Sequence, residues 1–254
     1  MVNSRRSNHW HLGRGQSPRG KQIWNFIRWQ MMPGAIATGI ICLAIQHGLF
    51  GPLEKLAYIG LFQLRGTTPW HDAIVVVEID DASLEALGQF PIARHHYTHL
   101  LQELTPLEPA VVAFDILFVD SSDDDPLFAQ AMLQQGRVIL AEAWDLNGAK
   151  VSAVPTLKDV AVTTGHVLRD DDADGINRYV RATAARLPSL GLAAWHVYQF
   201  SNEVDRSLAP SVLSNERLWL NWPGPTSNVS AYSFIDVIEN KLPPKVFQNK
   251  IVLV

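Results

Sequence analysis

Asp80, Asp81, Asp115 and Asp120 are the residues best placed to do chemistry in this chain. Asp80 and Asp81 close the apolar run Ile74–Ile79, while Asp115 sits within a second run, Val111–Phe118, and Asp120 just after it. In an open parallel sheet, ligands gather outside the carboxyl ends of the strands, and neighbouring strands lie about 4.8 Å apart. Carboxylates at the ends of two neighbouring strands repel unless a cation, an arginine or a proton relieves them. Arg94, in the segment that joins the two runs, is the internal counter-charge on offer. Three chemistries stay open for this group: a structural Asp–Arg network that fixes the turns, a site for a cation or small ligand, and acid–base catalysis by paired carboxylates.

A second acidic stretch, Asp170-x-Asp172-x-Asp174-Gly175, opens like a calcium loop. Its twelfth position, counted from Asp170, is Arg181 where a bidentate glutamate belongs. The Asp/Gly turn of a hairpin therefore competes with weak calcium binding. His95 and His99 have the i, i+4 spacing of zinc ligands on a helix, with His96 beside them. No HExxH glutamate lies between them and both fall outside the apolar stripe, which reads as an exposed face. There is no G-x-S-x-G elbow and no glycine-rich phosphate loop. The single cysteine, Cys42, excludes an intramolecular disulfide and a CxxC metal cluster. No cofactor is expected beyond a cation at the acidic edge.

The elements that must carry these residues follow from apolar spacing. Ile74–Ile79, β-branched throughout but for Glu78, predicts a strand covered on both faces. Ser83 is placed to cap a short helix, Leu84–Leu87, that ends at Gly88. Pro91 keeps Gln89–Arg94 out of a helix, and Tyr97, Leu100, Leu101 and Leu104 put one apolar face on a helix over His95–Leu104. With Val111–Phe118 this makes a right-handed parallel βαβ unit. Asp125 as N-cap, Pro126 and Gly136 bracket the next helix, with Leu127, Phe128, Ala131 and Met132 facing the core. Val138–Ala141 is a third strand, and residues 145–165 read as loops. Gly165–Leu168 and Ile176–Ala185 read as an antiparallel hairpin around DDDADG. Ser189–Phe200 is a helix burying Leu190, Ala193, Ala194 and Val197, and Arg217–Trp222 is a strand. Ser233–Asn240 opens with a Ser-x-x-Asp capping pattern. Lys250–Val254 is an apolar strand at the terminus, which predicts that the natural sequence continues. The fold class is α/β, a mixed but mostly parallel central sheet flanked by helices, with an antiparallel hairpin.

Charge is divided sharply along the chain. Residues 1–50 carry six basic residues and no acid, whereas the remainder carries fifteen against 25 acids. Residues 1–30 read as a basic, flexible tail. Trp29–Leu53 holds 25 residues without a formal charge, and an α-helix crosses a bilayer core in about 20. A transmembrane helix over 31–50 is expected, its N-terminus in the cytoplasm because the basic residues precede it. A cleaved signal peptide and a buried core helix compete with that reading. Residues 51–70, with Leu53, Leu56, Ile59 and Phe62 at helical spacing, predict a juxtamembrane helix, and 71–254 an extracytoplasmic domain. The acidic balance of that domain argues against nucleic acid as a partner.

Taken in order, EIDDASL (78–84), LG-x-x-P-x-x-R (87–94), AFDILF (113–118), D-x-DG-x-x-R (172–178), LNWPG (220–224), SFIDVI (233–238) and F-x-x-KIVLV (247–254) resemble the CHASE2 domain. The resemblance covers about residues 50–254. It implies an extracytoplasmic sensory module of bacterial signalling proteins, led by a transmembrane helix in the inner membrane. It also implies a glycine after the last strand, three further membrane helices and a cytoplasmic output: a nucleotide cyclase, a serine/threonine or histidine kinase, or a diguanylate cyclase. The expected site is Asp80, Asp81, Asp115 and Asp120 opposed by Arg94, with Asp170, Asp172 and Asp174 as a secondary metal set. Expected partners are the membrane, a small-molecule or ionic stimulus and a second copy of the chain. No catalysis is expected in this chain. The competing classes are a membrane-anchored periplasmic hydrolase that uses paired carboxylates, a metal-binding protein, and a dimerisation module.

Overall fold

The computed structural model describes residues 18–169, 172, 174–202 and 217–254. Residues 1–17 of the basic leader, and Asp170, lie outside the described residues, while residues 18–30, read above as flexible tail, are helical as the start of α1 (Pro18–Gln46). The chain divides after Gly66 into two compact units.

The first unit holds α1 (Pro18–Gln46) and α2 (Gly51–Arg65). Within α1, the 18 residues Trp29–Gln46 have a mean hydropathy of 1.2 and are long and apolar enough to cross a membrane. At about 1.5 Å of rise per residue they span roughly 27 Å, close to the ~30 Å of a bilayer core. The helix stops at Gln46 rather than running to residue 50, and Gly48 takes a left-handed φ of 67° in the turn that follows. Helix α2 has Pro52 in its first turn, where a missing N–H costs nothing, and ends on Gly66 at φ 73°. Leu53, Leu56, Leu61 and Leu64 on α2 are exposed.

The second unit is built on β1 (Ile74–Glu78), β2 (Val111–Phe114), β3 (Val138–Trp144), β4 (Lys150–Val151), β5 (Thr163–His166), β10 (Ser230–Ser233) and β11 (Ile251–Leu253). These form one sheet in the order β10-β1-β11-β2-β3, with β4 and β5 both on β3. Every pairing is parallel except that of β4 with β3. The mostly parallel sheet expected from the apolar runs is therefore present. The two acid-tipped strands are not neighbours, however: β11, from the end of the chain, lies between β1 and β2. Strand β2 is also shorter than the apolar run that announces it, ending at Phe114. Beyond it Phe118 still reaches the core from a loop.

Helices cover both faces of the sheet. On one lie α3 (Asp81–Leu87), α4 (Arg94–Leu104), α5 (Asp125–Gln135), α6 (Pro155–Lys158) and α8 (Phe234–Ile238); on the other lies α7 (Leu190–Asn202). Val75, Val77, Val112, Phe114, Leu140 and Val252 point to the first face, and Val111, Ala113, Ile139, Ala141 and Ile251 to the second. This is the alternation of a pleated strand with a core on both sides. Tyr97 of α4 sits among Phe114, Phe118, Phe128 and Phe234, its ring centroid 6.0, 5.1, 6.0 and 5.8 Å from theirs. Edge-to-face packing of this kind adds to what area burial alone supplies.

Several local expectations are corrected. Residues 145–165 are not all loop: they hold β4, α6 and most of β5. The expected hairpin around DDDADG does not form. Gly165 instead lies in β5, parallel to β3, while β6 (Tyr179–Arg181) pairs antiparallel with β9 (Arg217–Trp219). A two-strand hairpin does occur, between β7 (Thr183–Ala184) and β8 (Leu187–Pro188). It turns on Ala185 and Arg186 at φ 46° and 68°, the left-handed pair that a tight hairpin needs. Leu127, expected in the core, is 58 % exposed, since α5 presents Phe128, Ala131 and Met132 inward.

Gly165 is required for a steric reason. A Cβ there would lie 2.5 Å from the Cα of Leu190, the first residue of α7. The close approach is what seats α7 on the sheet, and His166 bridges to Ser189 beside it. Gly165→Ala is expected to cost about 1–3 kcal/mol, the usual range for overpacking, read as a lowered denaturant midpoint with an unchanged m-value.

Candidate functional site at the carboxyl edge of the sheet

Asp80 ends β1 and caps α3: the Ser83 N–H donates to its Oδ1 at 2.9 Å and the Ser83 hydroxyl at 2.6 Å. The cap expected at Ser83 is thus Asp80, and Ser83 lies inside a helix that begins at Asp81. Ser233 precedes α8 but does not cap it through its side chain. Its hydroxyl donates to Asp80 Oδ1 at 2.8 Å, because β10 lies beside β1 and brings the two together. The Ser83 hydroxyl, its backbone amide and the Ser233 hydroxyl outweigh desolvation and hold the Asp80 carboxyl below its usual range. Asp81 is exposed in the first turn of α3, where a negative charge suits the helix dipole.

Arg94 opens α4 and is turned away from Asp80. Its Nε donates to Asp125 Oδ1 at 2.8 Å, its Nη2 donates to the Asp120 carbonyl at 2.7 Å, and its guanidinium lies 4.5 Å from the centroid of the Phe118 ring. Asp125 is therefore the carboxylate that Arg94 neutralises. The residue expected as the helix cap is buried instead, accepting from Ser122 N–H at 2.9 Å, and Asp124 takes the N-cap position. Asp115 follows β2, where its N–H donates to the Val254 carbonyl at 2.8 Å. It is exposed as a residue, yet desolvation at the strand ends lifts its carboxyl above the usual range. The Asp120 side chain lies on the exposed rim. Of the five expected residues, Arg94 and Asp120 meet directly, while Asp80 is held in its own hydroxyl network.

The acidic turn supplies its own cation. Arg178, 0 % exposed, donates from Nη1 to Asp172 Oδ2 at 2.7 Å and to Asp174 Oδ1 at 2.8 Å, and from Nη2 to Asp174 Oδ2 at 2.8 Å. A calcium ion on Asp172 and Asp174 would have to displace this bidentate guanidinium. His95 stands 3.4 Å from Asp124 Oδ2 and His99 3.6 Å from Glu103 Oε1, both exposed. Among the described residues, no three His, Cys, Asp or Glu side chains are grouped as metal ligands.

One charged residue was not singled out from the sequence. Glu142, 0 % exposed on β3, takes ion pairs from Lys150 on β4 and, at 3.0 Å, from Lys158 on α6. Ser152 also donates its hydroxyl to Oε1, at 3.2 Å. Burial alone would raise the Glu142 carboxyl, but the two ammonium groups outweigh it and hold the carboxyl below its usual range. Its only signal was a lone acid in an apolar run, VILAEAW.

Beside Arg94 lies a surface cleft of about 230 Å³, formed by the approach to α4 and the segment that follows β2. Its walls include Ile92, Arg94, Tyr97, Ile116, Phe118 and Asp120. This is where the carboxyl-edge rule places ligands.

Glu142→Gln is expected to cost about 1–3 kcal/mol, the range for a buried charged hydrogen bond, because the half-exposed lysines left behind can rehydrate. A carboxyl depressed on folding stabilises above its unfolded pKa and loses that contribution as pH falls through the folded value. Urea midpoints should therefore drop in wild type below about pH 4.5, the ordinary value for this side chain, and drop less in Glu142→Gln.

The CHASE2 domain family matches residues 36–254, from within the apolar part of α1 to the last residue. No curated protein and no solved structure matches the chain. The ordered motifs fall at structural joints of this fold: Asp80 at the β1–α3 cap, Arg94 at the head of α4, Arg178 in the acidic turn, Ser233 before α8 and Ile251–Leu253 in the sheet. The chain belongs to the CHASE2 domain family, extracytoplasmic sensory domains of signalling receptors.

Proposed function

We propose that this chain is the sensory part of a membrane-bound signalling receptor. Its leader lies in the cytoplasm, Trp29–Gln46 crosses the inner membrane, and the unit after Gly66 lies outside. The observation that carries this is the family match, which takes in the sensory body together with part of the apolar helix. The six basic residues ahead of the apolar span Trp29–Gln46, against none among residues 29–53, support the orientation. The output of such a receptor would be a cyclase or kinase of the kinds the family carries.

A stimulus changes such a receptor only if it binds two conformations of the body unequally. The carboxyl edge is the place we assign to it, as a small molecule rather than a metal ion, since the acids there are dispersed among Ser, Arg and backbone partners. The path out would run through the strap that follows α2. Thr68 N–H donates to the Pro223 carbonyl at 2.7 Å and Trp70 Nε1 to the Pro225 carbonyl at 3.3 Å. The same loop is tied to the Arg178 turn, with Leu220 N–H donating to the Arg178 carbonyl at 2.8 Å and Trp222 Nε1 to the Asn177 carbonyl at 3.0 Å. A rearrangement of the body thus has a hydrogen-bonded route to Thr68 and Trp70, at the start of the second unit.

Fusions of alkaline phosphatase and of a cytosol-active fluorescent protein after residue 150 test the topology. Phosphatase activity with a dark fluorescent fusion is expected. Fluorescence without phosphatase activity would reverse the orientation and overturn the receptor reading.

A further inference from the structure

We infer that the cleft beside Arg94 binds a small molecule with an apolar body and a hydrogen-bond-accepting oxygen at its head, held by the Tyr97 hydroxyl and the N-terminal end of α4. This inference rests on the sensory reading above and specifies the chemistry of its stimulus.

Four observations converge on it. Tyr97 is 1 % exposed and lines the cleft, and its hydroxyl has no protein hydrogen-bond partner. A buried hydroxyl with no partner forfeits its hydration; it is closed to solvent here, so a ligand reaches it as the cleft side chains give way. Second, Arg94 lines the same cleft, with Nε and Nη2 engaged by Asp125 and Asp120. Its charge also acts on the Tyr97 hydroxyl, so the donor-rich side of the cleft and that hydroxyl share one neighbourhood. Third, Pro91, Ile92 and Ala93 form part of the wall and lead into α4, an 11-residue helix whose N-cap, Ala93, has no capping side chain. The His96 N–H already donates to the Ala93 carbonyl at 3.1 Å, so the Arg94 and His95 amides are the ones for which a helix start offers no intrahelical partner and favours an acceptor. Finally, Ile92, Ile116, Leu117 and Phe118 give the cleft an apolar side, with Asp120, Ser121 and Ser122 on its polar rim.

Size and charge narrow the class. A volume of about 230 Å³ corresponds to roughly eight waters at about 30 Å³ each, which admits a short branched or aromatic molecule. Asp125 already neutralises Arg94, and Asp120 stands on the rim. The acceptor head therefore does not need a full negative charge, and a carbonyl and a carboxylate share the recognition chemistry.

The test is thermal melting of the full chain in detergent micelles, titrated with 3-methylbutanoate, 3-methylbutanamide and 3-methylbutylamine. The acid anion or the amide is expected to raise the melting temperature in a saturable way, and the amine to leave it unchanged. The relative strength of the first two tells an anionic from a neutral head. Tyr97→Phe keeps the ring contacts and removes only the orphan hydroxyl. Without ligand it should melt at or above the wild-type temperature, and it should bind the effective probe about ten-fold more weakly, the worth of one lost hydrogen bond. Ser121→Trp, which fills the cleft from its exposed wall, should abolish the response while leaving the unliganded melt unchanged. A flat response to all three probes, a response to the amine alone, or a lower unliganded melt in Tyr97→Phe, which would mean that an ordered water satisfies the hydroxyl, overturns the inference. None of these outcomes touches membrane topology, whereas a reversed topology would remove the sensory reading without altering the melts.

Discussion

Ile251–Leu253 is the strand on which the body of this protein depends. It pairs with Ile74–Val76 on one side and with Val111–Ala113 on the other, so among the described residues it is the strand that hydrogen-bonds the two halves of the sheet together. Val252 is buried in one core and Ile251 in the other. The ladder is extended by Ile251 N–H to the Ala73 carbonyl at 2.6 Å, by Ala110 N–H to the Lys250 carbonyl at 2.9 Å, and by Asp115 N–H to the Val254 carbonyl at 2.8 Å. Closing a pairing across most of the chain costs loop entropy before any contact repays it. The two-sided ladder and the burial on both faces offset that cost together.

Once the sheet is closed, its charges have few places to go. Each deeply buried one is matched from within: Arg94 by Asp125, Glu142 by Lys150 and Lys158, Arg178 by Asp172 and Asp174. Desolvation demands such matching, since an unpaired charge in this interior would be far costlier than any surface pair is worth. Of the acids that a sequence reading assigns to binding, Asp80 is held by Ser83 and Ser233, and Asp172 and Asp174 by Arg178, while Asp81, Asp115 and Asp120 stand at the surface. Beside those surface acids the carboxyl edge offers a cleft of mixed polarity, a helix start without a side-chain cap and one phenolic hydroxyl. For a sensory domain this division is physically sensible. Ion pairs that hold turns in place give a rigid frame, and a cleft with modest polarity can change occupancy at low cost.

The Arg178 turn and the strap after α2 also belong to one connected network. The guanidinium ties Asp172 and Asp174 together, and the backbone of the same residue accepts from Leu220, two residues before Trp222 and the Pro223–Pro225 loop that holds Thr68 and Trp70. An acidic turn and a tryptophan-proline loop, far apart in sequence, thus form one support at the start of the body.

The amino-acid sequence by itself determined the parts of this protein that depend on local periodicity. The apolar runs at 74–79, 111–118 and 138–141 specified strands, the stripe Tyr97–Leu104 a helix, the uncharged stretch from Trp29 a helix of membrane-spanning length, and the ordered motifs the family. Those signals are legible because burial on one face or two imposes a repeat of fixed period. Only the tertiary structure decided which strands are neighbours and which charges are partners. Nothing local says that residues 251–253 enter between β1 and β2, that Ser233 turns its hydroxyl to Asp80, or that Arg94 answers Asp125 rather than Asp115. These pairings are chosen by competition among many contacts of similar strength, and they are settled by which arrangement leaves the fewest buried charges and backbone groups unmatched. The Tyr97 hydroxyl is invisible in the sequence for the same reason: its i, i+3, i+4 spacing announces an apolar face, and only the packed core reveals a polar atom left over within it.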